Sequence, residues 1–172
     1  MKVSLNIIEN LVNFELPPID ELMPRLNAQL GGVEGKVNLG EKYGAARIVR
    51  VVECEKHPDA DRLSVVKIDD GGAHNDVPRD ENGLVQVVCG APNVHADMWA
   101  IWLPPGAVVP ASFDDDQSFV LSARKLRGVL SQGMLAAGDE LGLNDDHDGI
   151  IEITEHDAPR GAELKEIGRA HV

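Results

Sequence analysis

Cysteine is rare in this chain of 172 residues, which contains only Cys54 and Cys89. The two lie far apart, form no CxxC pair and fall in the apolar runs VVEC and VQVVC. A disulfide framework or a paired-cysteine site is therefore unsupported. We expect two buried, reduced thiols.

Long hydrophobic runs are also missing. The most apolar stretch, MWAIWLPPGAVVP, is interrupted by prolines and stops well short of the roughly 20 residues that a membrane helix needs. The first residues, MKVSLNIIENLV, have asparagines and a glutamate within the apolar stretch and no small-residue cleavage site, so they do not resemble a secretory signal. We expect a folded, cytoplasmic protein with no membrane partner.

Positive charge is in short supply. The chain has 16 Lys and Arg against 29 Asp and Glu, a net charge of −13. A field of that sign repels phosphate groups at long range. Any binding of nucleic acid therefore has to come from a local cluster of cations.

The clearest helical pattern lies within the first 40 residues. The stretch LPPIDELMPRLNAQLGG starts with prolines, repeats apolar residues at three- and four-residue spacing and ends in two glycines. It predicts an amphipathic helix, kinked or shortened by Pro24. SLNIIENLV is a second candidate helix, with Ser4 as its N-cap.

From Tyr43 onward the sequence changes to short β-rich runs. There are five: GAARIVRVVECE, RLSVVKIDD, LVQVVCGA, MWAIWLP and SFVLSARKLRG. No long helix separates them, which favours a small closed or partly closed barrel over a parallel α/β sheet. GGAHNDVPRDENG, between the second and third runs, is predicted to be a polar, mobile hairpin loop.

HPDADRL places His57, Asp59 and Asp61 at alternate positions, which raises the question of a metal site. Metal ligands have to converge, yet Pro58 turns the chain here, and the pattern has no distant His or Cys partner. The stretch is better interpreted as a loop between two strands.

A calcium loop is the second metal hypothesis. In NDDHDGIIEITE the oxygen-bearing residues have the calcium-loop spacing, although the first is Asn: Asn144, Asp146, Asp148 and Glu155. The flanks are rich in Gly and Pro rather than helical. An acidic turn is favoured, with calcium binding as the alternative.

No pattern indicates an active site. GVLSQG, residues 128–133, is one residue too long for the GxSxG nucleophile elbow, and no base for Ser131 lies near it in sequence. GxGxxG and GxxxxGK[ST] phosphate loops are absent. We therefore expect no catalytic residue and no bound cofactor or metal in this chain.

Four segments occur in a fixed order: HPDADRLSVVKID, LVQVVCGAPNV, LPPGAVVP and KLRGVLSQGMLAAGDELGL. Together they resemble the tRNA-binding OB-fold domain of several aminoacyl-tRNA synthetases and associated factors. The flanking MKVSLNIIENLV, LGGVEG and DDHDGIIEI resemble the N-terminal region of the bacterial phenylalanyl-tRNA synthetase β subunit. Departures include Leu130 and Gln132, where that family usually has glutamates, and Ile7, where it usually has an aromatic residue.

The resemblance implies a mainly β chain with an α+β part. An OB-fold barrel, residues 41–151, would be inserted in a small discontinuous α+β domain built from residues 1–40 and 152–172. The HPDADRL segment would connect the first two barrel strands.

The resemblance also implies a parent α2β2 ligase that charges tRNA(Phe) with phenylalanine, using ATP and Mg, with its catalytic site in the α subunit. This chain would be a non-catalytic tRNA-binding or structural part of it, able to bind tRNA(Phe) weakly and in a salt-sensitive way. A free-standing tRNA-binding or chaperone-like OB-fold protein is the alternative.

The candidate nucleic-acid-binding residues lie in one stretch: Arg124, Lys125, Arg127, Ser131 and Met134. Residues 41–140 contain ten basic and sixteen acidic side chains, so only a local patch could meet phosphate. The alternative for the three cations is a solvated strand edge that resists pairing with other chains. Six aromatic residues leave little for base stacking, and at least one of Trp99 and Trp102 should be core because they are an odd number of positions apart.

Overall fold

The computed structural model describes residues 3–12, 14–154 and 160–163. Its backbone contacts divide the chain into two compact units, Met1–Val37 and Asn38–Val172. Within the described residues, every strand belongs to the second unit.

The first unit contains the two helices expected from its sequence: α1, Leu5–Leu11, and α2, Ile19–Gln29. The hydroxyl of Ser4 accepts a hydrogen bond from the Ile7 amide at 3.5 Å, which confirms the predicted N-cap. Pro24 lies inside α2, and Gly31, at φ 118°, follows the end of the helix. None of the helices that the structure describes is long and apolar enough to cross a membrane.

The second unit begins with a short helix, α3, Leu39–Lys42. Seven strands follow: β1, Arg47–Lys56; β2, Ser64–Asp69; β3, Val85–Cys89; β4, Trp99–Leu103; β5, Arg124–Leu126; β6, Val129–Ser131; and β7, Met134–Leu135. Five form one antiparallel sheet in the order β3-β2-β1-β4-β7, and β5 pairs with β6 in a hairpin. The mainly β architecture predicted from the sequence is confirmed.

Strand β1 belongs to both halves of the barrel. Its first residues, 47–50, pair with β4, and residues 50–56 pair with β2. The register with β2 shifts between Val51 and Glu53, an irregularity of the kind that bends a strand and increases its twist. The long β-branched run RIVRVVECEK thus supplies one strand that can curve around the core.

Residues 129–135 close the sheet. At one end, Gln132 donates from its amide to the carbonyl of Gln86 on β3 at 2.9 Å. At the other, Leu135 on β7 pairs with Trp102 on β4. This segment therefore lies between β3 and β4, and the result is the nearly closed barrel expected of an OB fold.

The barrel interior is filled by apolar side chains from alternate strand positions. Trp102 is fully buried, and its indole N–H donates to the Gln132 carbonyl at 2.8 Å. Trp99 is half-buried, so the expectation that at least one tryptophan is core is confirmed. Cys54 and Cys89 are free thiols, and burial raises the pKa of Cys89.

The described part of the C-terminal segment contacts the barrel. Ile150 pairs with Ala137, and Glu152 pairs with Ala100 on β4. The Ile48 amide donates to the Ala162 carbonyl at 3.0 Å. The assignment of residues 152–172 to one domain with residues 1–40 stays a prediction, and most of residues 152–172 lie outside the described part of the chain.

The loop between β2 and β3 is fastened by a buried ion pair, which the polar sequence did not suggest. Asp70 is fully buried and receives hydrogen bonds from both terminal nitrogens of Arg79, at 2.7 and 2.9 Å. The amides of Gly72 and His74 donate to the same carboxylate. Burial by itself raises the pKa of Asp70, but the guanidinium and the two amides outweigh it and hold the pKa below its ordinary value.

Candidate nucleic-acid interface

The β5–β6 hairpin carries the predicted cations. Arg124 pairs with Ser131 and Lys125 with Leu130, while Arg127 and Gly128 form the tip. Both tip residues have positive φ, 48° and 89°, the geometry of a two-residue hairpin turn of the primed class. Glycine adopts this conformation at little cost, so the RG dipeptide favours the turn locally.

The three cations of the hairpin are exposed and take part in no ion pair within the described ranges. Arg124 and Lys125 are neighbours on a strand, so they point to opposite faces. Most other basic residues in the described ranges are paired with a carboxylate. Lys36, Lys42, Arg47, Arg50, Lys67, Arg79 and Arg160 each lie within ion-pair distance of a carboxylate.

His57 links the hairpin to the HPDADRL loop. Its ring Nδ1 accepts from the Asp59 amide at 3.1 Å, so the other nitrogen, Nε2, carries the proton and donates to the Leu126 carbonyl on β5 at 3.0 Å. The side chain is 4% exposed. Both ring nitrogens are therefore used by the backbone, and the loop interpretation of HPDADRL accounts for this histidine.

This link adds two cations that the sequence reasoning did not select. Lys56 precedes the HPDADRL loop and Arg62 lies within it; both are exposed and have no ion-pair partner among the residues the structure describes. We call these two and the three hairpin cations the cationic patch: Lys56, Arg62, Arg124, Lys125 and Arg127. The two groups are connected by the hydrogen bond between His57 and Leu126, so spacing along the chain gave no signal for them.

The patch is not free of negative charge. Glu55, Asp59 and Asp61 lie on the same loop or the strand leading into it, and all three are exposed. The local field is therefore mixed, and phosphate contacts here would be few rather than extensive.

Ser131 and Met134, the other two predicted binding residues, are placed within the barrel wall. Ser131 is 2% exposed, and its hydroxyl accepts from the Val88 amide and donates to the Gly133 carbonyl, each at 2.9 Å. Met134 is half-buried and packs against the core. Their hydrogen bonds and packing stabilise the barrel closure, and a contact with nucleic acid stays a prediction.

The acidic segment predicted as a calcium loop or turn forms successive side-chain turns. The Asp146 amide donates to Asn144 Oδ1 and the Asp148 amide to Asp146 Oδ1, each at 3.0 Å. Glu155 lies outside the described residues. Across the described part of the chain, no three His, Cys, Asp or Glu side chains are grouped as metal ligands.

Comparison with known proteins agrees with this geometry. The family model described as "Putative tRNA binding domain" matches residues 46–163. The phenylalanine-tRNA ligase beta subunit of Cereibacter sphaeroides is 40% identical over 161 residues, covering 94% of this chain and 19% of that protein. The same subunit of Rhodopseudomonas palustris is 36% identical over 162 residues, covering 94% and 18%.

A solved structure, the MetRS related protein from Pyrococcus horikoshii, has a TM-score of 0.47 and 20% identity, covering 76% of this chain and 98% of that chain. This chain spans about a fifth of the length of the curated relatives it matches. The family match extends from the start of β1 through the described C-terminal segment, and therefore the chain belongs to the tRNA-binding domain family.

Proposed function

We propose that this chain is the N-terminal tRNA-binding and structural part of a phenylalanyl-tRNA synthetase β subunit. It contacts tRNA(Phe) through the cationic patch, weakly and in a salt-sensitive way. The parent enzyme is an α2β2 ligase that uses ATP and Mg, and its catalytic site lies in the α subunit. This chain contributes binding and architecture and no catalytic residue.

The observation that carries the proposal is the cationic patch on two neighbouring connections. In an OB fold, the loop between strands 1 and 2 and the loop between strands 4 and 5 flank the face that binds oligonucleotides. Here those loops are HPDADRL and residues 104–128, since residues 129–135 take the place of the fifth strand. The His57–Leu126 hydrogen bond joins them.

The net charge of the chain determines how tightly we expect it to bind RNA. With a net charge of −13, long-range attraction to RNA is absent, so affinity has to come from short-range contacts at the patch. Contacts to phosphates position a protein but carry no sequence information. We therefore expect similar affinity for tRNA(Phe) and for an unrelated tRNA.

Exposed apolar residues support the architectural role. In the first unit several large apolar side chains are more than half exposed: Val3, Ile7, Leu11, Phe14, Leu30 and Val37. Where such side chains form a contiguous patch, they mark a site of protein contact. We assign that surface to the rest of the parent enzyme, including the α subunit.

The test is a titration of the chain with tRNA(Phe) and an unrelated tRNA at several salt concentrations. The triple variant Arg124→Ala/Lys125→Ala/Arg127→Ala removes the hairpin cations. We expect its log-log salt slope to be smaller in magnitude by about 2 to 3, since each phosphate contact contributes about 0.7 to 0.9.

The matched control is Arg25→Ala/Lys36→Ala/Arg160→Ala, which removes the same charge from other places on the chain. It should keep the wild-type slope, apart from a small uniform loss of affinity. Equal losses in the two triple variants would show a general charge effect and refute the patch. Absence of binding by the wild-type chain would leave only the architectural role.

A further inference from the structure

Phe119 stands apart from the other aromatic residues of the second unit. Its side chain is 55% exposed, whereas Trp102 is fully buried and Tyr43, Trp99 and Phe113 are half-buried. Val120, next to it, is 54% exposed. Two consecutive apolar side chains are thus exposed a few residues after the exposed aspartates 114–116.

The backbone that carries Phe119 is held on both sides. Its amide donates to the Ser112 hydroxyl at 2.8 Å, and its carbonyl accepts from the Val109 amide at 2.9 Å. Two residues on, the Leu121 amide donates to the Ala107 carbonyl at 2.8 Å. The ring is therefore presented from a fixed segment, so a ligand that contacts it does not have to order the backbone first.

The position of Phe119 relates it to the cationic patch. Phe119 and the three hairpin cations of the patch lie on the connection between β4 and the closing segment, which OB folds use for oligonucleotides. Five residues separate Phe119 from Arg124, so their Cα atoms are at most about 18 Å apart. A few nucleotides of unpaired RNA can cross that distance.

The charges around Phe119 determine which part of RNA it can meet. Asp114, Asp115 and Asp116 are exposed just before it in the chain, and among the residues that the structure describes only Asp114 lies within ion-pair distance of a cation, Lys42 at 3.7 Å. Three carboxylates disfavour a phosphate at this end of the connection. A neutral base ring is not repelled by these carboxylates, and every base has a face that can stack on an aromatic side chain.

From this geometry we infer that Phe119 is a stacking platform for one unpaired nucleobase of the RNA that the cationic patch holds by its phosphates. The inference rests on the proposed function and adds a residue and a ligand group to it. Stacking tolerates any base, so it strengthens binding without making it specific.

The experiment compares Phe119→Ala with Val120→Ala, an equally exposed apolar neighbour, in the 172-residue chain. The probes are a tRNA(Phe) transcript and a single-stranded oligoadenylate that contains a fluorescent adenine analogue. We expect Phe119→Ala to weaken binding about 5- to 150-fold, the loss of one stacked base. Its salt slope should stay at the wild-type value, because no phosphate contact is removed. Val120→Ala should bind as the wild type does.

Phe119→Trp and Phe119→Leu separate stacking from apolar contact. The tryptophan variant should keep both the affinity and the quenching of the adenine analogue, and the leucine variant should lose both. Tryptophan fluorescence checks that each variant is folded.

Several results would overturn the inference. If Phe119→Ala binds RNA like the wild type while the hairpin triple variant loses salt-dependent binding, the proposed function stands and Phe119 has no part in it. If Phe119→Leu keeps full affinity, the contact is apolar packing, as at a protein interface. If the wild-type chain binds neither probe, the inference fails together with the tRNA-binding part of the proposed function, and only the architectural role remains.

Discussion

Breaking the buried Asp70–Arg79 pair should strongly destabilise the barrel, and Arg79→Ala tests this. Arg79 makes four hydrogen bonds: two to the Asp70 carboxylate, one to the Gly83 carbonyl and one to the His74 carbonyl. Asp70 has no exposed surface, whereas the side chain of Arg79 is 21% exposed. Removing the arginine leaves a buried carboxylate with only two backbone amides as donors.

The magnitude follows from that burial. Breaking a buried pair by removing one partner costs about 3 to 5 kcal/mol, and the partial exposure of Arg79 places this case near the lower limit. At an m-value of about 2 kcal/mol/M, a loss of about 3 kcal/mol lowers the urea midpoint by about 1.5 M.

The assay is urea unfolding followed by tryptophan fluorescence. Trp99 and Trp102 are the only tryptophans of the chain, and both lie on β4, so the signal reports the barrel. The His74 ring also stands edge-on to Trp102 at a centroid distance of 5.8 Å, which couples the loop to the probe. The matched control is Arg50→Ala, whose exposed pair with Asp97 should contribute about 1 kcal/mol at most.

The pH dependence has a definite sign. The pKa of Asp70 is below its ordinary value in the folded chain, so the ionised pair stabilises the fold above the unfolded pKa. That contribution is lost as the pH falls through the folded pKa. The deficit of Arg79→Ala should therefore be largest at neutral pH and shrink on acidification. Equal midpoints for Arg79→Ala and Arg50→Ala at neutral pH would refute the reasoning.

Three further outcomes follow from single side chains. His57→Ala should loosen the β5–β6 hairpin and lower the free energy of unfolding by about 1 to 3 kcal/mol, because the Leu126 carbonyl and the Asp59 amide lose their hydrogen-bond partner. Hydrogen exchange at the Asp59 amide checks this, and unchanged protection would contradict it. Glu140→Gln should stabilise the fold at neutral pH but not at acidic pH. Burial, with a smaller effect from Asp139, raises the pKa of the Glu140 carboxyl and outweighs the hydrogen bond from the Ala137 amide, which lowers it. Thermal unfolding at the two pH values tests this. Gly133→Ala should strongly destabilise the barrel closure, since Gly133 has a φ of 74° and an added Cβ would lie 2.0 Å from the Leu103 carbonyl oxygen. A melting temperature equal to that of the wild type would show that the backbone can shift to accept the methyl group.

Several local features could be predicted from the sequence because short-range physics determines them. Four of the five β-rich runs became strands of the main sheet, whereas the fifth run contains only β5 of the hairpin, and residues 129–135, outside all five runs, complete the sheet. Ser4 became an N-cap, and the helix with Pro24 formed where the apolar spacing placed it. Hydrogen bonds and side-chain periodicity within about ten residues are sufficient for each of these.

Local sequence identified only some residues of the candidate site. Arg124, Lys125 and Arg127 are neighbours in sequence, and the cluster was therefore selected. Ser131 was selected with them, yet pairing with β3, 43 residues earlier, places its hydroxyl inside the barrel wall. A strand shows its alternation in the sequence, but which face is covered depends on the strand beside it.

Sequence alone determined the class of fold and the shortage of positive charge that any RNA contact has to overcome. Tertiary structure decided the rest. It brought His57 to Leu126 across 69 residues, joined Lys56 and Arg62 to the hairpin cations, and left Phe119 exposed on a fixed backbone. The reason is physical: barrel closure sets which distant segments meet, and burial and charge pairing depend on those neighbours rather than on the local chain.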